Sequence, residues 1–422
     1  MTTEQTLDIN HQDPKLDELL FKLINSPEGR SNPYPIYNEL LHIAPVFKST
    51  MGSYVLLKYD DCQKVLRDNR FGKAENTPEE RKQRAELIGL TQQEIDEAAQ
   101  FFESRGSMLF VNPPDHTRLR SLVSRAFTPK TVDRMRDHVK TITDDLLDNL
   151  DGEVDIMEQL AWVLPATVIS ELIGVPFDQR EIFRPLVRSA TMLLEPVISR
   201  DDFLAGLNAS KTMTEILTQL LDERRKNPRD DLMSSLIEVK DGSDRLSERE
   251  LIATCQLLYA AGFETTTNLI GNGLFALLSH PDQLELLKSN PELTVGAVEE
   301  LLRYDSPVQF DGRTALLDAD INGQHVDQGA MVFTILGAAN HDFRHFHNPE
   351  VLDITRDEGP PLSFASGIHY CLGNSLARME GQVVLRRLLD TFNVIELIDQ
   401  NPERRNSITL RGIKQLRVNL KR

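Results

Sequence analysis

Residues 250–279, ELIATCQLLYAAGFETTTNLIGNGLFALLS, are apolar almost all round. An α-helix of that length spans about 45 Å, and a helix without a polar face runs through a protein's interior rather than along its surface. Its midpoint, Glu264-Thr265-Thr266-Thr267-Asn268, is too polar for a membrane span. A buried acid beside a row of hydroxyls is costly unless those groups are hydrogen-bonded or used. Gly262 inside the helix costs about 1 kcal/mol relative to alanine, and the Thr265 hydroxyl can bond back to the carbonyl of Ala261. A local bulge is expected there, able to seat a small molecule, with Glu264 and Thr265 placed to relay protons to it. A polar contact between two helices is the plainer reading of the same residues.

The rest of the chain fits around such a helix. Residues 131–150, 155–174, 203–226 and 247–259 have helical spacing of apolar positions, with Pro or Gly breaks between them. Residues 54–71 read as a short strand, a turn at Asp60-Asp61 and a helix. Residues 314–335 read as short strands around Asn322-Gly323, a hairpin pair. No repeat or Gly/Ser linker divides the sequence. The expected fold class is mainly α with small β-sheets, in one domain.

A net charge of −18 argues against a nucleic-acid binder, whose footprint is basic. Cys62, Cys255 and Cys371 lie far apart, so no disulfide framework is expected and a reducing cytoplasm is. The first residues, MTTEQTLDINHQDPKLDELLFKL, hold no long apolar run, so neither a signal peptide nor a membrane anchor is expected.

Cys371 sits in SFASGIHYCLGNSLAR, between Gly367 and Gly373 and just before a helix. Zinc would need more N/S ligands than His369 and Cys371 supply. A catalytic thiol would need a His–acid partner set. A thiolate ligand to haem iron would use the glycines for close backbone approach and the helix start for N–H donors. An inert core cysteine is the ordinary alternative. Glu300 and Arg303 share a helix face at i, i+3, usually a surface pair. His116 and Arg120, one turn apart, suit an anionic carboxylate or phosphate, although a solvated basic face reads the same way. Asp318–Asn322 imitates the start of a calcium loop, but Gly329 stands where the bidentate Glu belongs. His341, His345 and His347 read as a solvated turn.

Taken together and in order, these sites resemble the cytochrome P450 family. The matching residues are His116…Arg120, Ala261-Gly262-x-Glu264-Thr265, Glu300-x-x-Arg303, and Phe364-x-x-Gly367-x-His369-x-Cys371-x-Gly373. Asn32-Pro33-Tyr34-Pro35, Asn340-x-Asp342 and Leu376-Ala377-Arg378 agree with it. Ala365, where the family usually has Gly, departs from it, as do Phe343 and Arg417. The resemblance covers essentially the whole chain and is nearest the soluble bacterial class that hydroxylates macrolides, polyketides and fatty acyl groups.

The resemblance implies a P450 fold with a long central helix over haem b, as a single domain over residues 1–422 with a β-rich N-terminal portion and a helical C-terminal portion. It implies Cys371 as the axial ligand, and His116, Arg120, Arg313 and His369 as partners of the haem propionates. Phe364 would lie near the sulfur, with Ala261, Gly367 and Gly373 also beside the cofactor. Glu300 and Arg303 would form a structural pair, extended near Arg356. Glu264 and Thr265 would serve O2 activation, and Phe110, Val111, Leu258, Pro307–Phe310 (including Val308) and Ile413 would line a pocket for an apolar substrate. Lys73–Arg105 would form a lid, with residues 186–212 as the opposing flap. Electrons would come from a ferredoxin or flavodoxin with its NAD(P)H reductase. That partner would dock on Arg118, Arg120, Arg125, Lys130, Arg134, Arg136 and Lys140. A monomer is expected. The competing classes are a peroxide-driven haem-thiolate enzyme, which typically has Arg-Pro in place of Glu264-Thr265, and a non-enzymatic haem carrier.

Overall fold

The apolar stretch forms one α-helix, Glu248–Leu278, 31 residues long. Ser247 and Glu250 start it with a capping box: Glu250 Oε2 accepts from the Ser247 N–H at 2.8 Å, and Ser247 Oγ accepts from the Glu250 N–H at 3.4 Å. The computed structural model describes residues 13–73, 82, 85–103, 106–240 and 244–422. These fall into two compact units, each assembled from separated stretches of chain.

The first unit takes residues 13–73, 271–371 and 397–416. Its five-stranded sheet runs in the order Val46–Lys48, Tyr54–Leu56, Met331–Thr334, Asp311–Ala315, Phe71–Gly72. Only the pairing of Tyr54–Leu56 with Met331–Thr334 is parallel. Ala319–Ile321 and Gln324–Val326 form the expected hairpin, because Asn322 and Gly323 both adopt the positive φ of a tight reversal, 53° and 81°. The sheet and the helix Tyr59–Arg67 enclose a core of Tyr54, Leu56, Cys62, Leu66, Phe71, Val332 and Phe346.

The second unit takes the described residues from 82 to 270, with 372–396 and 417–422. It is largely helical: Gln92–Glu103, Asp115–Ala126, Pro129–Asp148, Val163–Ile173, Arg180–Thr191, Arg200–Lys226 and Asn374–Thr391. A three-stranded sheet joins Gly152–Asp155, Arg417–Lys421 and Val394–Leu397. Among the described residues no helix is long and apolar enough to cross a membrane.

Three expectations are corrected. Residues 13–73 hold four helices and only two- to three-residue strands, so the N-terminal portion is not β-rich. Asp60 and Asp61 lie in the first turn of Tyr59–Arg67, not in a turn before it, where acids complement the helix dipole. The helix expected over 155–174 begins with a π-turn, Met157–Ala161. Of the expected lid, residues 74–81, 83, 84, 104 and 105 lie outside the described residues, and so do the first 12 of the chain.

Candidate active site

Burial separates the three cysteines in the first instance. Cys62 and Cys255 have no exposed surface. Desolvation raises the Cys62 thiol well above its ordinary range and the Cys255 thiol to about 12, so both remain protonated. Cys371 is only partly buried, and none of the three is disulfide-bonded.

Within the first unit, Cys371 closes a tightly specified loop. Its N–H donates to the Phe364 carbonyl at 3.0 Å. Phe364 is buried and meets Tyr370 edge-on, ring centroids 6.5 Å apart. Gly367 has φ +71°, and a Cβ there would stand 2.1 Å from the Leu66 carbonyl oxygen. Approach of the helix Tyr59–Arg67 therefore demands this glycine. Arg67 Nε reinforces the contact by donating to Ser366 Oγ at 2.8 Å. His369 is half-buried beside Cys371 in the loop.

Arg313, 1% exposed, projects from the sheet. Asp311 binds Arg313 Nη1 at 2.5 Å and Lys73 Nζ at 2.6 Å. Although burial opposes ionisation, those two cations hold the Asp311 carboxyl well below its usual range. Asp311 is thus shared between the two cations. Arg313 Nη2 is buried with no hydrogen-bond partner among the described residues. That guanidinium donor suits a further carboxylate.

Glu300 and Arg303 are paired in the interior, both side chains 2% exposed. Arg303 Nε and Nη2 donate to Glu300 Oε2 and Oε1 at 2.7 and 2.8 Å, and Arg356 Nε approaches the same carboxylate at 3.2 Å. Arg303 Nη1 continues to the carbonyls of Asn340 and Pro349, at 2.9 and 2.8 Å. This is a buried bidentate pair, not the surface pair its spacing usually signals.

Val308 bridges to Leu410, and Phe310 meets Phe333 edge-on at 5.9 Å; both are half-buried. Ile413 has no exposed surface and bridges to Arg404. It packs in the core of the first unit. His341 is no solvated turn. Its ring lies 4.4 Å from that of Tyr34, its Nε2 is 2.9 Å from the Tyr304 carbonyl, and desolvation lowers its pKa to about 3. Among the described residues no cluster of His, Cys, Asp and Glu could hold a metal ion.

Within the second unit, the long helix is buried on most sides, yet Ala261 is exposed and Leu258 and Thr265 are half-buried. These three, at i, i+3 and i+7, form one accessible stripe. Thr265 Oγ1 donates to the Ala261 carbonyl at 2.6 Å. The helix stays α-helical throughout, so the expected bulge is absent. Gly262 has a packing reason: a Cβ there would stand 3.2 Å from Ile169 Cδ1. Glu264 is 3% exposed. On Asp115–Ala126, His116 is buried and Arg120 half-buried, one turn apart. Phe110 is 48% exposed and Val111 half-buried just upstream. A Cβ on Gly373 would meet nothing within 4 Å, so that backbone can accept a flat group closely.

The expected basic patch is smaller than its sequence suggests. Arg118 is tied to Glu250, with Asp244 3.5 Å away, and Arg125 donates to the Lys240 carbonyl. Lys130, Arg134, Arg136 and Lys140 remain exposed on Pro129–Asp148. That helix is joined to Asn374–Thr391 by Arg387 and Asp144 at 2.5 Å. Sequence reasoning missed Glu380, fully buried on the latter helix, and the Asn340–Ser306–Ser363 cluster. Asn340 and Ser363 stood in the quoted motifs, but their partners are set by folding.

The family model described as Cytochrome P450 matches residues 89–420. The chain is 38% identical over 411 residues to cytochrome P450 CYP107DY1 of Priestia megaterium, covering 93% of this chain and 97% of that one. It is 36% identical to the polyketide biosynthesis cytochrome P450 PksS of Bacillus subtilis, over 94% and 99% of the two chains. Among solved structures, P450BioI in complex with a hexadec-9Z-enoic acid ligated acyl carrier protein superimposes with a TM-score of 0.86 at 34% identity, covering 94% of this chain and 100% of that one. With its partly buried cysteine loop, its interior Glu–Arg pair and its acid–threonine helix, the chain belongs to the cytochrome P450 family.

Proposed function

We propose that the chain, acting as one P450 domain, binds haem b through Cys371 and inserts one oxygen atom of O2 into a C–H or C=C bond of a long, mainly apolar small molecule. That it is a P450 monooxygenase follows from the family and its relatives. The observation that carries the assignment of the ligand is the contrast among the thiols: Cys371 alone is partly buried, while Cys62 and Cys255 are enclosed and held protonated.

The residues present fit the cofactor. When bound, haem supplies the iron at which O2 is activated. Cys371 would be its thiolate ligand, with Phe364 shielding the sulfur. Arg313 would offer its buried N–H donor to one propionate, and His116, Arg120 and His369 would supply the rest of the cationic and N–H set that two carboxylates need. Gly373 gives a flat face clearance, whereas Gly367 serves the neighbouring helix, and Ala261 would face the cofactor from the exposed position of the long helix. Because the Thr265 hydroxyl proton is directed to the Ala261 carbonyl, its oxygen lone pairs are left to accept a hydrogen bond from an incoming group. Glu264, one residue earlier, is the acid placed to supply protons.

Phe110, Val111, Leu258, Val308 and Phe310 all keep accessible apolar surface, which favours an apolar substrate. The similar P450BioI is seen with an acyl group on its carrier protein, and PksS serves polyketide biosynthesis. A fatty-acyl or polyketide chain is therefore the substrate class we assign, ahead of steroids and terpenoids. The exposed Lys130, Arg134, Arg136 and Lys140 suit an acidic ferredoxin or flavodoxin, reduced by its NAD(P)H reductase. Turnover of a long-chain acyl substrate under labelled O2, driven by a surrogate ferredoxin pair, tests this: one labelled oxygen per product supports it. Product formed from peroxide alone, with none from the ferredoxin pair, overturns it.

A further inference from the structure

Three buried side chains behind the cysteine loop, all in the first unit, form a closed hydrogen-bond cluster. Ser306 and Asn340 have no exposed surface, and Ser363 has 6%. Asn340 Nδ2 lies 2.7 Å from Ser306 Oγ and 2.9 Å from Ser363 Oγ. The hydroxyls are 2.7 Å apart, and each is 2.7 Å from the Leu302 carbonyl. Asn340 Oδ1 accepts the Leu362 N–H at 2.7 Å, which fixes the amide's orientation, since only oxygen can face that donor. Asn340 therefore gives one N–H to each serine. The serines cannot both donate to Leu302 while their oxygens stand 2.7 Å apart, so one donates to the other and the second to the carbonyl. Leu302 lies near the end of the helix Thr294–Tyr304, where carbonyls lack partners in their own helix. Every proton in the cluster has an acceptor.

The cluster joins two features already described. Behind it, Arg303 of the Glu300 pair donates to the Asn340 backbone carbonyl. In front of it, Leu362–Phe364 is a single helical turn followed by Ala365 at φ +56°, ψ −153°. That conformation is almost confined to glycine, and an alanine keeps it only where its surroundings over-determine it. The Ala365 N–H returns to the Leu362 carbonyl at 2.8 Å, and the Cys371 N–H to that of Phe364 at 3.0 Å.

We propose that Asn340, Ser306 and Ser363 are positioning residues for Cys371: the cluster clamps the Leu362–Phe364 turn against the strain at Ala365, so that the Cys371–Phe364 hydrogen bond holds the sulfur in one place. The proposal rests on Cys371 being the iron ligand. Loss of either hydroxyl or of the amide strands buried partners and loosens the loop. Loosening lets the sulfur swing away.

The test uses purified holoenzyme carrying Ser363→Ala, Asn340→Leu, Ser363→Thr, or Ser363→Ala with Ala365→Gly. Two rates are measured: amide hydrogen exchange in the peptide spanning residues 362–373, and decay of the thiolate-ligated absorption band of the reduced carbon-monoxide complex. The first two variants should raise both rates about tenfold, as expected when a buried hydrogen bond is lost. Ser363→Thr, which keeps a hydroxyl, should stay near the parent. Relieving the strain with Ala365→Gly should recover part of the loss. Rates within about twofold of the parent, with only the unfolding temperature lowered, would overturn the proposal. A parent lacking the thiolate band would instead overturn the reading of Cys371, and the exchange rates alone would then decide whether the clamp exists.

Discussion

Arg303 grips both oxygens of Glu300 from the same helix face, at 2.7 and 2.8 Å, with both side chains 2% exposed. Removing one partner of a buried pair strands the other charge, at about 3–5 kcal/mol. Glu300→Gln should lose about that much stability in denaturant titration, because Arg303 and Arg356 are left facing a neutral group. Arg303→Lys should do little better, since an ammonium cannot make the bidentate contact and also reach the Asn340 and Pro349 carbonyls.

Ala365 adopts φ +56°, ψ −153°, for which glycine has no steric penalty. Ala365→Gly should therefore stabilise the protein by about 1 kcal/mol, a gain of about 1–2 °C in unfolding temperature for a chain of this size. A lower unfolding temperature would show that the alanine methyl makes a packing contact worth more than the strain.

The two kinds of agreement between sequence and structure have a common physical origin. The long helix and the Asn322-Gly323 hairpin were legible because each is specified locally, by an unbroken apolar run and by a dipeptide tolerant of positive φ. Glu300 and Arg303 were legible as a pair from their spacing, but their burial was not. His341 and Arg118 were misjudged because long-range partners decide their environments: a stack on Tyr34 and an ion pair with Glu250. The bulge expected at Gly262 failed for the same reason, because Ile169 occupies the space that the missing side chain leaves.

Glu380 is fully buried, its Oε2 has no hydrogen-bond partner among the described residues, and desolvation raises its pKa from 4.5 to about 8. The folded state thus prefers the neutral acid. Below pH 4.5 the group is protonated whether folded or not, and its contribution is fully present. As pH rises from 4.5 toward 8 the unfolded chain ionises while the folded one does not, and stability falls by up to about 1.4 kcal/mol per pH unit. Glu380→Gln should nearly match the parent near pH 4.5 and exceed it by about 4 kcal/mol at pH 8. Parallel stability profiles across that range would contradict this.

Thr265 is the hydroxyl on the accessible stripe of the long helix. Thr265→Ala should consume NAD(P)H at a rate near the parent's while releasing peroxide in place of product, and Thr265→Ser should recover most of the coupling. Full coupling in the alanine variant would remove Thr265 from proton handling.

The central claim is that the Cys371 sulfur is the iron ligand, and the carbon-monoxide difference spectrum of the reduced protein tests it most directly. The parent should show the haem-thiolate band, and Cys371→Ser should lose it even where haem is retained. A parent without that band, or a serine variant that keeps it, would contradict the account.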